Sequence, residues 1–236
     1  MSMPSDAHPI SIPSGQVTLE GVLELPRAAS GIVVFSHGSG SGRHSPRNRY
    51  VAQELRAAGM GTLLLDLLTP EEDRDYETRF DIDLLTWRLG DAARFVRRHA
   101  ATRSLLVGLF GASTGAASAL RVAAAMPEDV KAVVSRGGRP DLTGDETLPR
   151  VMAPTLLIVG GRDHGVIGLN QAAHALLQCD KQIAIVRGAT HLFEEPGALE
   201  EVARLAADWF VRHLAGNRQS REARDSSLSP PTRFDG

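Results

Sequence analysis

The sequence predicts an α/β fold, with a mostly parallel central sheet, helices on both faces and no large cap domain. Two observations lead to this prediction. Short apolar runs alternate along the chain with segments whose apolar residues recur at helical spacing. Most of these runs lack the apolar–polar alternation of a sheet with one solvated face, which is typical of parallel strands buried on both sides.

The predicted elements follow one another in a regular order. Residues 16–26 alternate apolar and polar side chains, as a half-buried or edge strand does, and the residues before them are expected to be loose. The buried strands are predicted at 31–37, 61–68, 104–109, 131–135, 155–160 and 181–188, and the helices at 48–58, 82–99, 116–126, 169–178 and 198–214. Gly59 and Pro127 follow two of these helices, as expected after a helix end.

Composition bounds the size and class of the protein. The chain has 236 residues, of which 42% are hydrophobic and 23% are charged, which suits one α/β domain with a full core. We expect this domain to span 1–215 and the polar segment 216–236 to be a disordered tail. The net charge of −2 gives no electrostatic basis for binding nucleic acid or an anionic membrane.

Cysteine content and hydropathy bear on the compartment. Cys179 is the only cysteine, so the chain has no internal disulfide, which fits a reducing environment. The N-terminus lacks the basic and apolar regions of a signal peptide, and no apolar run approaches the roughly 20 residues of a membrane span. The prediction is a cytoplasmic protein that binds a small molecule and neither nucleic acid nor a membrane. A homodimer stays open.

The loops at the carboxyl edge of the predicted sheet are the candidate site, because ligands of open α/β sheets bind there. They are 36–44, 111–115, 135–141, and 160–165 with 188–193. The segment GASTG at 111–115 joins a strand to a helix, and a strand–Gly-x-Ser-x-Gly–helix turn presents its serine on a sharp bend above the sheet edge. We interpret Ser113 as a nucleophile rather than the incidental serine of a glycine-rich turn.

A serine hydroxyl needs a base that takes its proton. His191 lies in the loop after the last predicted strand and is the predicted base. Asp163, in the segment GGRD, is the predicted carboxylate that orients this histidine, and Asp141 is a weaker alternative. The chain order of serine, aspartate and histidine is the order expected of this architecture.

The oxyanion that develops in such a reaction needs backbone N–H donors. Thr114, directly after the predicted nucleophile, supplies one, and Ser39, in the segment HGSG, supplies the other. The glycine loop is not a phosphate cradle, since no Lys-Ser/Thr follows it and no G-x-G-x-x-G opens a helix. The sequence also lacks the paired spacing of metal ligands, so neither a cofactor nor a metal is predicted.

Together these segments resemble an α/β-hydrolase of the dienelactone-hydrolase-like group, from about residue 16 to 214. FSHGSGS is similar to the oxyanion loop of that group, GASTG to its nucleophile elbow, GGRD to its acid turn and GATHLF to its histidine loop. VSRGGRPDL also resembles a stretch of small hydrolases that are sometimes fused to phosphoribosyltransferases. True dienelactone hydrolases use a cysteine nucleophile where this sequence has serine, so the resemblance does not carry dienelactone over as the substrate.

Three functions are compatible with these residues. The leading hypothesis is a serine esterase or lactonase that forms an acyl-enzyme on Ser113 and releases it with water. An acyltransferase would use the same triad and pass the acyl group to an alcohol or an amine. A non-catalytic binding module on the same fold is the third hypothesis, but such relatives usually lack part of the triad, and here all three members are present.

Two arginines, Arg136 and Arg139, flank a Gly-Gly turn after the strand 131–135. The turn would let a guanidinium approach a substrate carboxylate or phosphate through two parallel hydrogen bonds. Of the two interpretations, the one favoured is a structural role, in which an arginine pairs with Asp141, Glu146 or a backbone carbonyl, and substrate binding is the alternative.

The segment after these arginines bears on the size of the substrate. Only about a dozen residues, 140–153, link this strand to the next, so a helical cap does not fit. We therefore expect an open site that prefers short acyl groups.

Overall fold

The apolar runs of the chain form the strands of one sheet. The computed structural model describes residues 7–215, and within them the sheet has eight strands flanked by five α-helices. The strands are β1 (Ala7–Ser14), β2 (Val17–Glu24), β3 (Gly31–Ser36), β4 (Met60–Leu65), β5 (Leu106–Ala112), β6 (Val130–Arg136), β7 (Thr155–Gly160) and β8 (Lys181–Val186). The helices are α1 (Pro46–Ala57), α2 (Ile82–Arg98), α3 (Thr114–Ala125), α4 (His164–Leu176) and α5 (Ala198–Leu214).

The strand order across the sheet is β1-β2-β4-β3-β5-β6-β7-β8. β1 and β2 form an antiparallel hairpin, β2 pairs antiparallel with β4, and every later pair is parallel. The parallel strands therefore end at one common edge, with β5 near the middle. This topology confirms the predicted fold class.

Each face of the sheet has its own hydrophobic core. In β5, Leu109 packs in the core that includes Leu120 of α3, whereas Phe110 packs in the other core with Phe210 of α5. Phe110 also contacts Phe35 of β3, with ring centroids 4.9 Å apart. Burying a side chain of this size contributes about 1.5–3 kcal/mol, so β5 is fixed from both sides.

The strand β1 differs from the prediction, which placed no strand before residue 16. It pairs with β2 along its whole length, and the side chain of its residue Ile12 is buried. Pro9 and Pro13 make this segment a poor match to a strand pattern. Proline has no N–H to donate to the hydrogen bonds of a central strand and is tolerated only in an edge strand.

The link between β6 and β7 is short. It contains only two short 3₁₀ turns, Pro140–Thr143 and Leu148–Arg150, which agrees with the prediction of no cap. Within residues 7–215, no helix has the length and apolar character needed to cross a membrane. The predicted tail, 216–236, lies outside the described residues, and the limits of the domain at 1–215 stay a prediction.

Candidate active site

Ser113 occupies a strained turn between β5 and α3. Its backbone angles are φ 51° and ψ −120°, in a region that non-glycine residues rarely adopt. The Ser113 N–H donates to the carbonyl of Arg136 (3.1 Å), and the Ser113 carbonyl accepts from the N–H of Arg139 (3.1 Å). Such strain persists only where the surroundings fix it, and here the end of β6 fixes it from two directions.

The glycines on either side of Ser113 are required by close contacts. A β-carbon on Gly111 would lie 2.5 Å from Cα of Ala116, and one on Gly115 would lie 2.2 Å from the carbonyl oxygen of Ser36. Both distances are far inside van der Waals contact. The elbow is therefore compressed between its own helix and the neighbouring strand β3.

Asp163 and His191 are in direct contact. Nδ1 of His191 lies 2.6 Å from Oδ2 of Asp163, and the two side chains are 38% and 15% exposed. Their loops are joined by the backbone as well, because the N–H of Arg162 donates to the carbonyl of Ala189 (2.9 Å). A proton on Nδ1 that is donated to the carboxylate leaves Nε2 as the basic nitrogen of the ring.

The turn at Gly137 connects this pair to Ser113. A β-carbon on Gly137 would lie 3.5 Å from Cε1 of His191. Gly137 follows Arg136, whose carbonyl accepts the Ser113 N–H, and Gly137 itself has φ 51°. The imidazole and the elbow thus both border one tight turn, and the predicted serine, aspartate and histidine lie at the same edge of the sheet.

The loop that carries His191 is held by two residues that the sequence analysis missed. Phe193 is 1% exposed and has a positive φ of 55°, so its ring anchors the loop in the core below. Both carboxylate oxygens of Glu195 accept from the N–H of Thr190, at 3.1 and 3.0 Å, and these hydrogen bonds lower the pKa of Glu195. The sequence offered no signal for this contact beyond an acidic residue near the histidine.

The two residues predicted to supply the oxyanion donors, Ser39 and Thr114, are in contact. The N–H of Ser39 donates to the hydroxyl of Thr114 (3.1 Å), and a β-carbon on Gly38 would lie 3.0 Å from Cβ of Ser113. Thr114 is the first residue of α3, where N–H groups have no intrahelical acceptor. The loop after β3 therefore touches the elbow, with the Thr114 hydroxyl on the Ser39 N–H.

His37 supports that loop from below. The ring is 4% exposed, and its Nε2 accepts from the N–H of Leu67 (2.9 Å). Nδ1 then carries the proton and donates to the carbonyl of Gly38 (2.9 Å). Burial lowers the pKa of His37, which favours the neutral ring that both hydrogen bonds require.

The two arginines after β6 have different surroundings. Arg139 makes two hydrogen bonds to the carboxylate of Asp141, at 2.9 and 2.7 Å, which corresponds to the structural alternative. This pairing also occupies Asp141, the weaker candidate for the acid. Arg136 is 9% exposed, and its guanidinium carbon lies 6.0 Å from the ring centroid of Phe110.

Among residues 7–215, no group of three or more His, Cys, Asp or Glu side chains is arranged to hold a metal ion.

The sheet topology and the strained serine turn define an α/β-hydrolase fold. The model of the "Dienelactone hydrolase family" matches residues 19–215. The chain belongs to this family of hydrolases.

The chain is also similar to several curated proteins. Two proteins from strains of Mycobacterium tuberculosis are each 58% identical over 207 residues, covering 88% of this chain and 46% of their own; their names provisionally describe them as phosphoribosyl transferases. The chain therefore spans about half the length of these curated relatives. A Bradyrhizobium protein named as a probable lactonase is 28% identical over 196 residues, covering 71% of this chain and 79% of its own.

A solved structure gives the same fold at high similarity. The crystal structure of a dienelactone hydrolase from Anabaena variabilis superimposes with a TM-score of 0.86 at 54% identity. The match covers 89% of this chain and 99% of that one.

Proposed function

We propose that the protein is a serine hydrolase that cleaves small carboxylic esters or lactones through an acyl-enzyme on Ser113. The observation that carries this proposal is the strained Ser113 turn beside a His191–Asp163 pair joined at 2.6 Å. The membership of the chain in a family of hydrolases supports hydrolysis as the class of reaction.

The proposed reaction begins with proton transfer. Nε2 of His191 takes the proton of the Ser113 hydroxyl as its oxygen attacks the acyl carbon, and Asp163 stabilises the imidazolium that forms. The same nitrogen then gives the proton to the departing alcohol oxygen. In a lactone this oxygen stays attached to the acyl group, so the ring opens without loss of a fragment.

The second half of the proposed reaction uses water. Nε2 of His191 takes a proton from a water molecule that attacks the acyl-enzyme, and returns it to Ser113 as the acid departs. In both halves the N–H groups of Thr114 and Ser39 stabilise the oxyanion. Because the Ser39 N–H is bonded to the Thr114 hydroxyl, the oxyanion has to share or replace that contact.

Hydrolysis is preferred over acyl transfer in this proposal. His191 is 38% exposed and only short turns follow β6, so water has free access to the acyl-enzyme. The name of the Bradyrhizobium relative supports a lactone as one substrate type. The names of the two mycobacterial relatives concern proteins about twice as long, and the part that they share with this chain matches the hydrolase family.

The test is a substrate panel combined with covalent labelling. Wild type, Ser113→Ala and the control Ser11→Ala, an exposed serine on β1, are assayed on p-nitrophenyl esters of increasing chain length and on small lactones. A fluorophosphonate label is mapped by mass spectrometry in parallel. We expect wild type and the Ser11→Ala control to hydrolyse the short-chain esters and to be labelled at Ser113. We expect Ser113→Ala to show neither activity nor labelling. Labelling elsewhere, or product esters outweighing acid when an alcohol is added, would overturn the proposal.

A further inference from the structure

Arg136 is a buried cation whose donors are not used. It is the last residue of β6 and is 9% exposed. Within residues 7–215, its Nη1 is fully buried and has no hydrogen-bond partner, and no carboxylate forms an ion pair with it. A buried charge is normally paired, because desolvation without compensation is strongly unfavourable. The face of the Phe110 ring, 6.0 Å away, offsets only part of this cost.

The backbone of Arg136 lies beside the Ser113 turn. The Arg136 carbonyl accepts the N–H of Ser113, so the two residues are in contact at the carboxyl edge. Along β6, Val134 packs in the core below α1 and α5, and Arg136 lies on the same side because strand residues alternate between faces. Arg136 therefore lies at the same edge of the sheet as the candidate nucleophile, with its guanidinium over the ring of Phe110, three residues before Ser113.

A second guanidinium approaches the first. Arg47, in the first turn of α1, has a buried Nε without a partner, while its Nη1 donates to Glu194 (3.1 Å), three residues after His191. Burial, together with the charge of Arg47, lowers the pKa of Arg136 to about 10. Arg136 is therefore still protonated at neutral pH, and within residues 7–215 the carboxylate of Glu194 forms an ion pair with Arg47 and not with Arg136.

We propose that Arg136 and Arg47 form a subsite for a phosphate group carried by the acyl substrate, next to Ser113. Guanidinium donors lie in a planar fork that matches pairs of phosphate oxygens. Glu194 already offsets part of the charge of Arg47, but Nη1 of Arg136 and Nε of Arg47 are donors without a partner. The three terminal oxygens of a phosphate can accept from both guanidinium groups at once, whereas a carboxylate has only two oxygens, so the pair favours phosphate. The inference rests on the proposed function in taking the ligand to be an ester substrate. Binding of a phosphate group by the two arginines does not depend on that function.

The first measurement is binding of inorganic phosphate by titration calorimetry at constant ionic strength. The variants are Ser113→Ala, Arg136→Met, Arg136→Lys and the control Arg27→Met, an exposed arginine in the turn before β3 at the opposite edge of the sheet. We expect wild type, Ser113→Ala and Arg27→Met to bind alike. Arg136→Met should bind about tenfold to hundredfold more weakly, as expected for the loss of a charge-assisted hydrogen bond, and Arg136→Lys should be intermediate.

Thermal unfolding separates this role from a scaffold role. Replacing an unpaired buried cation by methionine removes a desolvated charge, so Arg136→Met should have a melting temperature at or above that of wild type without phosphate. Phosphate should raise the melting temperature of wild type and leave that of Arg136→Met unchanged. A lower melting temperature for Arg136→Met with unchanged phosphate binding would make Arg136 part of the scaffold and overturn the inference.

The second measurement uses three esters of equal length whose far end is neutral, a carboxylate or a phosphate. Wild type should show the highest kcat/KM on the phosphate ester, and Arg136→Met should lose that preference through KM while keeping kcat on the neutral ester. Equal rates on all three esters would overturn the subsite but not the hydrolase. Phosphate binding that depends on Arg136, without turnover of any ester, would overturn the hydrolase but not the subsite. A preference for the carboxylate ester would overturn the two-cation form.

Discussion

The two sides of the candidate active site are organised differently. On the acid–base side, His191 and Asp163 already make their hydrogen bond, and Phe193 and Glu195 hold the loop around them. On the oxyanion side, the Ser39 N–H is bonded to a side chain, the Thr114 hydroxyl, rather than left available. Under the proposed mechanism, the base is already oriented in the free protein, whereas oxyanion stabilisation requires a local exchange of hydrogen bonds.

The largest expected effect is on the acid–base side. His191→Ala and Ser113→Ala should each lower kcat on a short ester on the order of a millionfold, and the double variant should be no worse, because the residues act as a unit. Steady-state kinetics and circular dichroism on the purified variants check this. A residual activity within tenfold of wild type in a folded variant would remove that residue from the mechanism.

The next effect tests which carboxylate orients the histidine. Asp163→Asn should lower kcat about ten-thousandfold, since the amide holds the ring in the wrong tautomer. Asp141→Asn should stay near wild type in kcat, because its partner is Arg139. The reverse ranking would mean that the contact between Asp163 and His191 is structural and that the acid has been misassigned.

Acidification should weaken the oxyanion side through His37. Its pKa is lowered from the ordinary 6.5 by burial, so below pH 6.5 the unfolded chain binds a proton more readily than the folded one. Stability then falls as the pH drops from 6.5 to the lower pKa of the folded state, by up to about 1.4 kcal/mol per pH unit, and levels off below it.

The check is urea unfolding at pH 7.5, 6.5 and 5.5. His37→Gln should be less stable than wild type at pH 7.5 and should show a smaller decrease on acidification, because its side chain does not titrate. Parallel pH profiles for the two proteins would show that another group accounts for the acid sensitivity.

The smallest expected effect is that of the Thr114 hydroxyl. Thr114→Val keeps the shape of the side chain and removes the acceptor of the Ser39 N–H. If this hydrogen bond holds the loop in place, kcat should fall about fivefold, as expected for one neutral hydrogen bond of roughly 1 kcal/mol. An increase in kcat would instead show that the hydroxyl competes with the oxyanion, and would sharpen the contrast between the two sides.

The sequence predicted the fold where local pattern decides it. Apolar runs such as 31–37 became buried strands because length and burial leave few alternatives. The strand β1 was missed because its prolines disfavour a central strand. The start of α4 was predicted five residues too late, because Gly165 and Gly168 lower the helix propensity of its first turns.

The candidate site divides in a similar way. The loop positions of Ser113, Asp163 and His191 follow from the order of the elements, and their catalytic roles stay predictions. The hydrogen bond between Glu195 and Thr190 spans only five residues, but it depends on a loop conformation that no pattern in the sequence specifies. Arg136 and Arg139 are alike in sequence, and only the geometry separates a buried, unpaired guanidinium from a paired one.

The prolines of β1 also affect how copies of the chain can meet. An edge strand offers its free N–H and C=O groups to any other extended chain, which is the usual route to sheet-to-sheet aggregation. Pro9 and Pro13 have no N–H to offer, so the β1 edge is a poor template for another strand. At the other edge, β8 has no proline and exposes Ile185. A continuous sheet shared by two molecules is therefore expected to form across β8 rather than β1.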